Sequence, residues 1–398
     1  MDATLSPLSN PLYVMAKPAG SRCNLACHYC YYLDKASLYA DGSSDRDKEG
    51  CRPRMVMSDA TLEAYILQYI EAQTQTEVLF TWHGGEPLLL PVSFYEKVLR
   101  LQRRHAQGHV IDNCIQTNGT LLSDEWCRFF SRNHWLVGIS IDGPAHLHDA
   151  WRRTHSGRGS FDRVLRGIRL LQQHRVEWNV MGVVNSVNAD FPLDVYRFYR
   201  DIGSEFIQFT PIVERDDPEA TVSPGQYARF VTAIFDEWVR HDVGSVFVQL
   251  FDSILACWVG QAPGLCTMAP TCGHATVMEH NGDLYCCDHF VFPQYRLGNI
   301  HQTTIAAMAY SARQQQFGLD KHDALPTQCR QCLWLGICNG GCPKDRIALD
   351  EHGEPGLNYL CADFRAIFEH VAPAMDFMAN ELAHERPPAN VMSWMRCR

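Results

Sequence analysis

Three cysteines lie close together in the stretch Cys23-Asn-Leu-Ala-Cys27-His-Tyr-Cys30, which follows the short apolar run Leu12–Ala16. Thiolates at this spacing can bind three irons of one cubane iron–sulfur cluster, because each iron takes one cysteine. The fourth iron then keeps an open coordination site for a substrate or cofactor. The alternative from these residues alone is a zinc site that takes its fourth ligand from a distant part of the chain.

The composition favours a large, thiol-rich protein without a nucleic-acid partner. The chain has 398 residues, 17 of them cysteines, with 46% hydrophobic composition and a formal net charge of −10. This length predicts two or three domains, and the negative charge argues against nucleic-acid binding. Met1–Asn10 lacks the pattern of a signal peptide, and no apolar run approaches membrane-spanning length. We therefore expect a soluble cytoplasmic protein whose thiols bind metal or clusters and do not form a disulfide framework.

Before about residue 250, strand-like and helix-like patterns alternate six times. The strands are predicted at Leu12–Ala16, Val78–Trp82, Val110–Gln116, Val137–Asp142, Trp178–Asn185 and Phe206–Pro211. The helices are predicted at Asp59–Gln73, Ser93–Arg104, Ser123–Asn133, Phe161–His174, Leu193–Ile202 and Pro224–Arg240. Six strand–helix units predict an α/β fold with a parallel sheet, either open or curled into a partial barrel, and sites at the carboxyl ends of its strands. Suggestive residues follow strands at Cys23–Cys30, His83–Pro87, Thr117–Gly119 and Asp142–Pro144.

Beyond about residue 260 the pattern changes to clustered cysteines, glycines and turns, and long helices are not expected. Such a composition predicts a small domain that metal holds together. We expect an α/β domain over residues 10–245, a small domain over 260–365 and a helical tail over 366–398, with its helix at Asp363–His384. The polar segment Lys35–Arg54 is predicted to be a surface loop.

The first cysteine motif, with Tyr29 directly before Cys30, resembles the C-x3-C-x-aromatic-C motif of the radical S-adenosylmethionine (SAM) superfamily. This resemblance implies a partial (β/α)6 radical SAM barrel with a [4Fe–4S] cluster on Cys23, Cys27 and Cys30. Its open iron would bind SAM, whose reductive cleavage yields a 5′-deoxyadenosyl radical. The segment Gly84–Pro87, which reads Gly-Gly-Glu-Pro, resembles the element that contacts the SAM amino group.

By the same resemblance, further residues would contact SAM. Ser140 and Arg152 would hold its carboxylate, a group with which a guanidinium pairs well. Tyr29 and Gly85 would line SAM, and Val213 would pack near its adenine. From the residues alone, Arg152 can equally be a solvated surface charge.

A second set of cysteines lies near the carboxyl end of the chain. Its eight members are Cys266, Cys272, Cys287, Cys329, Cys332, Cys338, Cys342 and Cys361. Eight thiolates can bind two four-iron clusters or two zinc sites, so the number of cysteines alone does not distinguish these two kinds of site. Their order and spacing resemble the SPASM extension of radical SAM enzymes, which implies a C-terminal Fe–S (SPASM) domain with two fully ligated, electron-carrying clusters. One would take Cys266, Cys272, Cys287 and Cys342, and the other would take Cys329, Cys332, Cys338 and Cys361.

Asp288 directly follows Cys287. An isolated Asp in a turn is usually a cap or a solvated charge. Four further stretches bear on its role, and they are Leu12–Pro18, Tyr31–Leu33, Gln208–Phe209 and Arg296–Ile300. With them, the chain resembles the anaerobic sulfatase-maturating enzymes over about residues 10–370, and in that family an Asp at this place is the general base. This resemblance implies the same role for Asp288, with His289 as the competing base by its ordinary pKa. Cys286 is the alternative ligand to Cys287, and the spacing from Cys272 favours Cys287.

The family resemblance also implies the reaction. These enzymes oxidise a cysteine or serine, in a C/S-x-A/P-x-R motif of a sulfatase, to Cα-formylglycine (3-oxoalanine), and we take cysteine as the expected target. The implied cofactors are SAM and three [4Fe–4S] clusters. The implied partners are unfolded sulfatase polypeptide and an electron donor such as flavodoxin or ferredoxin, with no nucleic acid and no membrane.

Two alternative functions remain open at this point. One is a SPASM-type enzyme that crosslinks a ribosomal peptide, against which Asp288 argues. The other is a non-enzymatic iron–sulfur or zinc scaffold, against which the Gly84–Pro87 element and the three-cysteine motif argue.

Overall fold

A computed structural model describes residues 11–39 and 55–396 of the chain. Met1–Asn10, most of the predicted loop Lys35–Arg54 and Cys397 therefore lie outside the described residues, whereas Leu33–Tyr39 forms a 3-10 helix. Within the two described ranges, no helix combines the length and apolar character needed to cross a membrane.

The strands of the described residues follow in chain order. They are β1 (Tyr13–Lys17), β2 (Glu77–Trp82), β3 (Val110–Thr117), β4 (Leu136–Ser140), β5 (Trp178–Val184), β6 (Phe206–Pro211), β7 (Phe247–Val248), β8 (Ala275–Glu279), β9 (Asp283–Tyr285), β10 (Arg296–Asn299), β11 (Ala348–Leu349) and β12 (Pro355–Leu357).

The α-helices of the same residues are α1 (Asp59–Glu71), α2 (Val92–His105), α3 (Asp124–Arg132), α4 (Ala145–Trp151), α5 (Phe161–Gln173), α6 (Pro192–Asp201), α7 (Gln226–His241), α8 (Gln249–Trp258), α9 (Ile305–Ala309), α10 (Ala312–Asp323), α11 (Thr327–Arg330), α12 (Leu335–Cys338), α13 (Cys361–Ala383) and α14 (Val391–Arg396).

The predicted alternation of strands and helices is confirmed. Each of the six predicted strands corresponds to one of β1 to β6, and each predicted helix corresponds to α1, α2, α3, α5, α6 or α7. Helices α4 and α8, with 7 and 10 residues, were not predicted. The expectation of no long helix between residue 260 and the tail is wrong, since α10 has 12 residues.

Contacts divide the chain into two compact units. Unit 1 comprises Met1–Ile139, Arg152–Trp178 and Cys272–Leu319, and unit 2 comprises Ser140–Trp151, Asn179–Thr271 and Asp320–Arg398. The ranges of these units differ from the domain bounds that we expected from the sequence. Those domain bounds stay a prediction. The expected boundary at residue 365 falls inside α13.

Unit 1 is built on strands in the order β10-β9-β8-β1-β2-β3-β4. Strands β1 to β4 are parallel neighbours, and Thr81 of β2 lies between Met15 of β1 and Cys114 of β3. Strand β8 is parallel to β1 on its other side, and β9 and β10 continue in antiparallel pairs. This register brings the segments that follow β1, β2 and β3 to one edge of the sheet.

Unit 2 contains the parallel strands β5, β6 and β7. Helix α7 begins after Gly225, whose N–H donates to the carboxylate of Asp363 at 3.0 Å, and the N–H of Ala228 donates to the same carboxylate at 2.8 Å. Because the first N–H groups of a helix have no partner within it, Asp363 of α13 satisfies donors that burial would otherwise leave unpaired.

Candidate functional site

The loop after β1 carries Cys23, Cys27 and Cys30, which are all half-buried. A turn closes between Cys27 and Cys30, with the N–H of Cys30 donating to the carbonyl of Cys27 at 3.2 Å. Burial, reinforced by the charge of Glu86, raises the pKa of Cys23 to about 12. A thiolate at this position therefore needs a cation beside it. Coordinated iron supplies that charge, so the donor set fits an iron–sulfur cluster.

The glycine-rich segment after β2 packs directly against the cysteine loop. The N–H of Gly85 donates to the carbonyl of Gly20 at 2.8 Å, and the N–H of Glu86 donates to the carbonyl of Arg22 at 2.7 Å. A Cβ atom on Gly85 would lie 2.1 Å from the carbonyl oxygen of Arg22. Glycine is therefore required here by the close approach of two backbones.

The buried carboxylate of Glu86 joins the ends of β2 and β3. Its oxygens accept from the N–H of Leu88 at 2.9 Å, the hydroxyl of Thr117 at 2.7 Å and the N–H of Asn118 at 2.8 Å. Burial raises the pKa of Glu86 to about 7, although these donors act in the opposite direction. The side chain of Glu86 thus links two loops of the site by hydrogen bonds.

The residues expected to contact SAM fall in both units. In unit 1, the guanidinium carbon of Arg152 lies 5.5 Å from the ring centroid of Tyr29, and Arg152 is only 7% exposed. The alternative of a solvated surface charge is therefore wrong for Arg152. In unit 2, Ser140 is the buried last residue of β4, and the carbonyl of the buried Val213 accepts from the ammonium of Lys344 at 2.6 Å.

Asp288 is held by two side chains of unit 1. Its Oδ2 accepts from the hydroxyl of Tyr31 at 2.5 Å, and its Oδ1 forms an ion pair with Nζ of Lys17. The side chain of Lys17 is fully buried, and its Nζ lies 3.3 Å from the ring centroid of Tyr32. The hydroxyl of Tyr32 in turn donates to the buried carboxylate of Glu279 at 2.5 Å.

The charges around Asp288 decide its protonation. Burial alone would raise the pKa of Asp288, but Lys17, His83 and His289 outweigh burial and hold that pKa well below its usual range. Burial lowers the pKa of His83 to about 4, so this imidazole is neutral at neutral pH. Its Nδ1 is buried and has no hydrogen-bond partner among the described residues. Burial and the neighbouring Asp288 raise the pKa of Tyr31 well above its usual value.

The sequence analysis did not identify Lys17 or Glu279, and it placed His83 in a suggestive segment without giving it a role. The local signal for both was a charged residue at the end of a largely apolar strand, as Lys17 is in β1 and Glu279 is in β8. Such a residue needs a partner when it is buried, but the partner's position is not readable from the strand itself.

Four cysteines of unit 2 line one cavity of about 320 Å³. They are Cys329, Cys332, Cys338 and Cys361, the set that the family resemblance assigned to one cluster. Burial, together with the nearby thiols, raises the pKa of Cys338 to about 12 and that of Cys329 to about 11. Four thiols that line one cavity are the donor set of a fully ligated [4Fe–4S] cluster, whose irons would stabilise them as thiolates.

The remaining four predicted ligands divide between the units. Cys272 and Cys287 belong to unit 1, and Cys266 and Cys342 belong to unit 2. Cys287 is half-buried, whereas the adjacent Cys286 is buried and its carbonyl accepts from the side-chain amide of Gln314 at 3.0 Å. The choice of Cys287 over Cys286 as the ligand stays a prediction.

Comparisons with known proteins agree with these observations. The radical SAM superfamily matches residues 18–199, and an iron–sulfur cluster-binding domain, SPASM, matches residues 270–333. The serine-type anaerobic sulfatase-maturating enzyme of Bacteroides thetaiotaomicron is 53% identical over 99% of this chain and 97% of its own length. The cysteine-type enzyme of Clostridium perfringens is 30% identical over 94% of this chain and 99% of its own length.

Solved structures give the same result for the fold. The structure of native anSMEcpe with bound AdoMet and Kp18Cys peptide superposes with a TM-score of 0.83 at 31% identity. The match covers 94% of this chain and 100% of that chain.

Proposed function

The chain belongs to the anaerobic sulfatase-maturating enzymes of the radical SAM superfamily, and we propose that it is a serine-type member of that family. It oxidises a residue of a sulfatase to Cα-formylglycine, and its cofactors are SAM and three [4Fe–4S] clusters. The family alone does not say which residue of the sulfatase is oxidised, and we propose that this residue is serine.

One observation carries the serine proposal. The chain is 53% identical to a serine-type enzyme over nearly the whole of both chains, but only 30% identical to a cysteine-type enzyme over a similar span. The cysteine target expected from the sequence alone is not supported by this comparison. Substrate type is set by a few side chains around the target residue, and these are expected to be shared most with the more similar relative.

The test uses two sulfatase-derived peptides that differ only in the target residue. The reconstituted protein is incubated anaerobically with SAM, dithionite and either peptide. We expect 5′-deoxyadenosine from both, a loss of about 2 mass units from the serine peptide, a loss of about 18 from the cysteine peptide, and a higher kcat/KM for serine. A higher kcat/KM for cysteine would overturn the serine proposal. SAM cleavage without either mass change would favour the alternative of a peptide-crosslinking enzyme.

We assign the SAM-binding cluster to Cys23, Cys27 and Cys30. The support is their common loop, their partial burial and the raised pKa of Cys23. When bound, this cluster supplies the electron that cleaves SAM to a 5′-deoxyadenosyl radical.

Five residues are proposed to contact SAM, and they are Tyr29, Gly85, Ser140, Arg152 and Val213. The burial of Arg152 beside the ring of Tyr29 supports this assignment most directly, because a guanidinium in such a place pairs well with a carboxylate such as that of SAM.

The two auxiliary clusters are proposed to carry the product electron. One takes Cys329, Cys332, Cys338 and Cys361, with the shared cavity as its support. The other takes Cys266, Cys272, Cys287 and Cys342, on the family resemblance alone. Four cysteines for each cluster leave no open iron, so neither would bind substrate.

Asp288 is proposed to accept the proton that leaves the target hydroxyl or thiol. Its lowered pKa keeps it ionised across the working pH range, and each oxygen keeps a lone pair beyond those used by Lys17 and Tyr31. A carboxylate with so low a pKa is a weak base. The proton transfer should therefore accompany the loss of the substrate's electron, which makes the proton more acidic.

The remaining proposals concern partners and location. We propose unfolded sulfatase polypeptide with a C/S-x-A/P-x-R motif as the substrate, and flavodoxin or ferredoxin as the electron donor. A peptide-bound structure of the similar protein anSMEcpe supports the former. The 17 cysteines, many of them proposed ligands that must stay reduced, support a cytoplasmic location.

A further inference from the structure

A closed hydrogen-bond network lies beside the first cysteine of the motif. Asn118 donates its side-chain amide to Oδ1 of Asn24 at 2.9 Å, and Asn24 donates its own amide to Oγ1 of Thr120 at 2.8 Å. The hydroxyl of Thr120 closes the ring by donating to Oδ1 of Asn118 at 2.7 Å. These three side chains connect the cysteine loop after β1 to the end of β3.

The sulfur of Cys23 accepts two hydrogen bonds at the edge of this network. Nδ2 of Asn118 donates to it at 3.7 Å, and the backbone N–H of Leu25 donates at 3.4 Å. The protonated thiol of Cys23 lies 4.0 Å from Oδ1 of Asn24, a contact that an iron–sulfur bond would replace. Asn118 is thus the side chain that reaches the sulfur from a different loop.

The network fixes the direction of the Asn118 amide. Oδ1 of Asn118 accepts both the hydroxyl and the backbone N–H of Thr120, the latter at 3.0 Å. A flipped amide would point its N–H groups at these two donors and its oxygen at the oxygen of Asn24. Only the observed orientation satisfies all partners, and in that orientation the amide must present an N–H toward Cys23.

We propose that Asn118 is a positioning residue for Cys23 that raises the reduction potential of the cluster bound there, and that Thr120 holds the Asn118 amide in its donating direction. An N–H donor withdraws electron density from a ligating sulfur and stabilises the more negative, reduced cluster. This inference rests on the proposed cluster ligation by Cys23, Cys27 and Cys30. It gives Asn118 and Thr120, which directly follow β3, a role in setting how readily SAM is reduced.

The test is an EPR-monitored redox titration of the reconstituted protein, read at the signal that changes when SAM is added. Asn118→Ala removes the donor, and Thr120→Val removes the hydroxyl that orients it while keeping its shape. For Asn118→Ala we expect the ratio of reduced to oxidised cluster at a fixed potential to fall about tenfold, a negative shift of about 59 mV for one electron. Thr120→Val should shift the potential in the same direction by less, and Thr120→Ser, which keeps the hydroxyl, should match the wild type.

Three results would separate the possible failures. If the wild type has no SAM-responsive signal, the proposed cluster ligation fails before Asn118 is tested. If the variants keep that signal and its potential, the inference about Asn118 is overturned. If Asn118→Ala binds less iron, its potential cannot be compared with that of the wild type, and Thr120→Val becomes the test. A Thr120→Val protein with full iron content and the wild-type reduction potential would also overturn the inference.

Discussion

Lys17 is the cation that does most to lower the pKa of Asp288. It is the last residue of β1, its side chain is fully buried, and its ion pair with Asp288 joins positions far apart in the chain. A buried carboxylate without a cation is strongly unfavourable, so removal of Lys17 should be far more damaging than loss of a surface ion pair.

We expect Lys17→Met to lower the free energy of unfolding by about 3–5 kcal/mol, because it leaves the mostly buried carboxylate of Asp288 without its cation, with only the neutral hydroxyl of Tyr31 still donating to it. Anaerobic urea unfolding of samples with matched iron content measures this. Lys97→Met is the matched control, since Lys97 pairs with Asp59 at an exposed site and should change stability by about 1 kcal/mol or less. Because the pKa of Asp288 is below its ordinary value of 3.8 in the fold, the wild-type contribution is present above that pH and is lost as the pH falls further.

The double variant Lys17→Met with Asp288→Asn checks the cause. Once the carboxylate is neutral, the loss should be partly recovered. Equal effects of Lys17→Met and Lys97→Met would contradict the buried ion pair as a major source of stability.

Asp288→Asn should separate SAM cleavage from substrate oxidation. The variant keeps its shape but cannot accept the proton, so we expect formylglycine formation to fall about 100-fold or more while 5′-deoxyadenosine is still released. Mass spectrometry of the peptide and chromatography of the nucleoside give the two rates. His289→Gln is the comparison, and a larger loss of formylglycine in this variant would identify His289 as the base.

At the scale of elements, the site depends on how the loops after β1, β2 and β3 pack against one another. The segment after β2 runs so close to the cysteine loop that Gly85 has no space for a Cβ atom, and Glu86 then joins it to the end of β3. The cysteine loop is therefore shaped by its neighbours as well as by its own sequence.

Gly85→Ala should displace the cysteine loop. Its Cβ would meet the carbonyl oxygen of Arg22 at 2.1 Å, and because both groups are backbone-anchored, we expect a stability loss of about 3 kcal/mol or more together with reduced iron binding. Thermal unfolding and iron analysis measure the two effects. Gly336→Ala in α12 is the control, since nothing lies within 4 Å of the added Cβ, and full iron content in Gly85→Ala would show that the loops can separate without loss of the site.

For the whole molecule, the cysteines form sets that should be separable by substitution. The proposed ligands Cys329 and Cys332 line the same cavity, whereas the half-buried Cys257 belongs to no proposed cluster. The cluster of Cys23, Cys27 and Cys30 does not share ligands with either auxiliary cluster.

The variant that carries both Cys329→Ala and Cys332→Ala should lose one cluster of the three. Iron content should fall from about twelve to about eight atoms per chain, and reductive SAM cleavage should continue. Iron analysis and release of 5′-deoxyadenosine test both statements. Cys257→Ala should keep the full iron content. An unchanged iron content in the double variant would contradict the assignment of this set.

Much of the fold was predictable because its signals are local. Hydrophobic periodicity identified β1 to β6 and their helices within a few residues. It missed α4, whose 7 residues are too few to show a clear period, and it also missed the 10-residue α8. The expectation of a small domain without long helices missed α10, because clustered cysteines and glycines around it outweighed its own weak pattern.

The sequence by itself determined the succession of six strand–helix units and the spacing of the first three cysteines, because both depend on residues that are neighbours in the chain. Only the tertiary structure decided that Lys17 and Tyr31 hold Asp288 and that Asn118 reaches the sulfur of Cys23. These contacts join residues 95 or more positions apart. No local pattern encodes them, since parallel strands bring such residues together only after the sheet has formed.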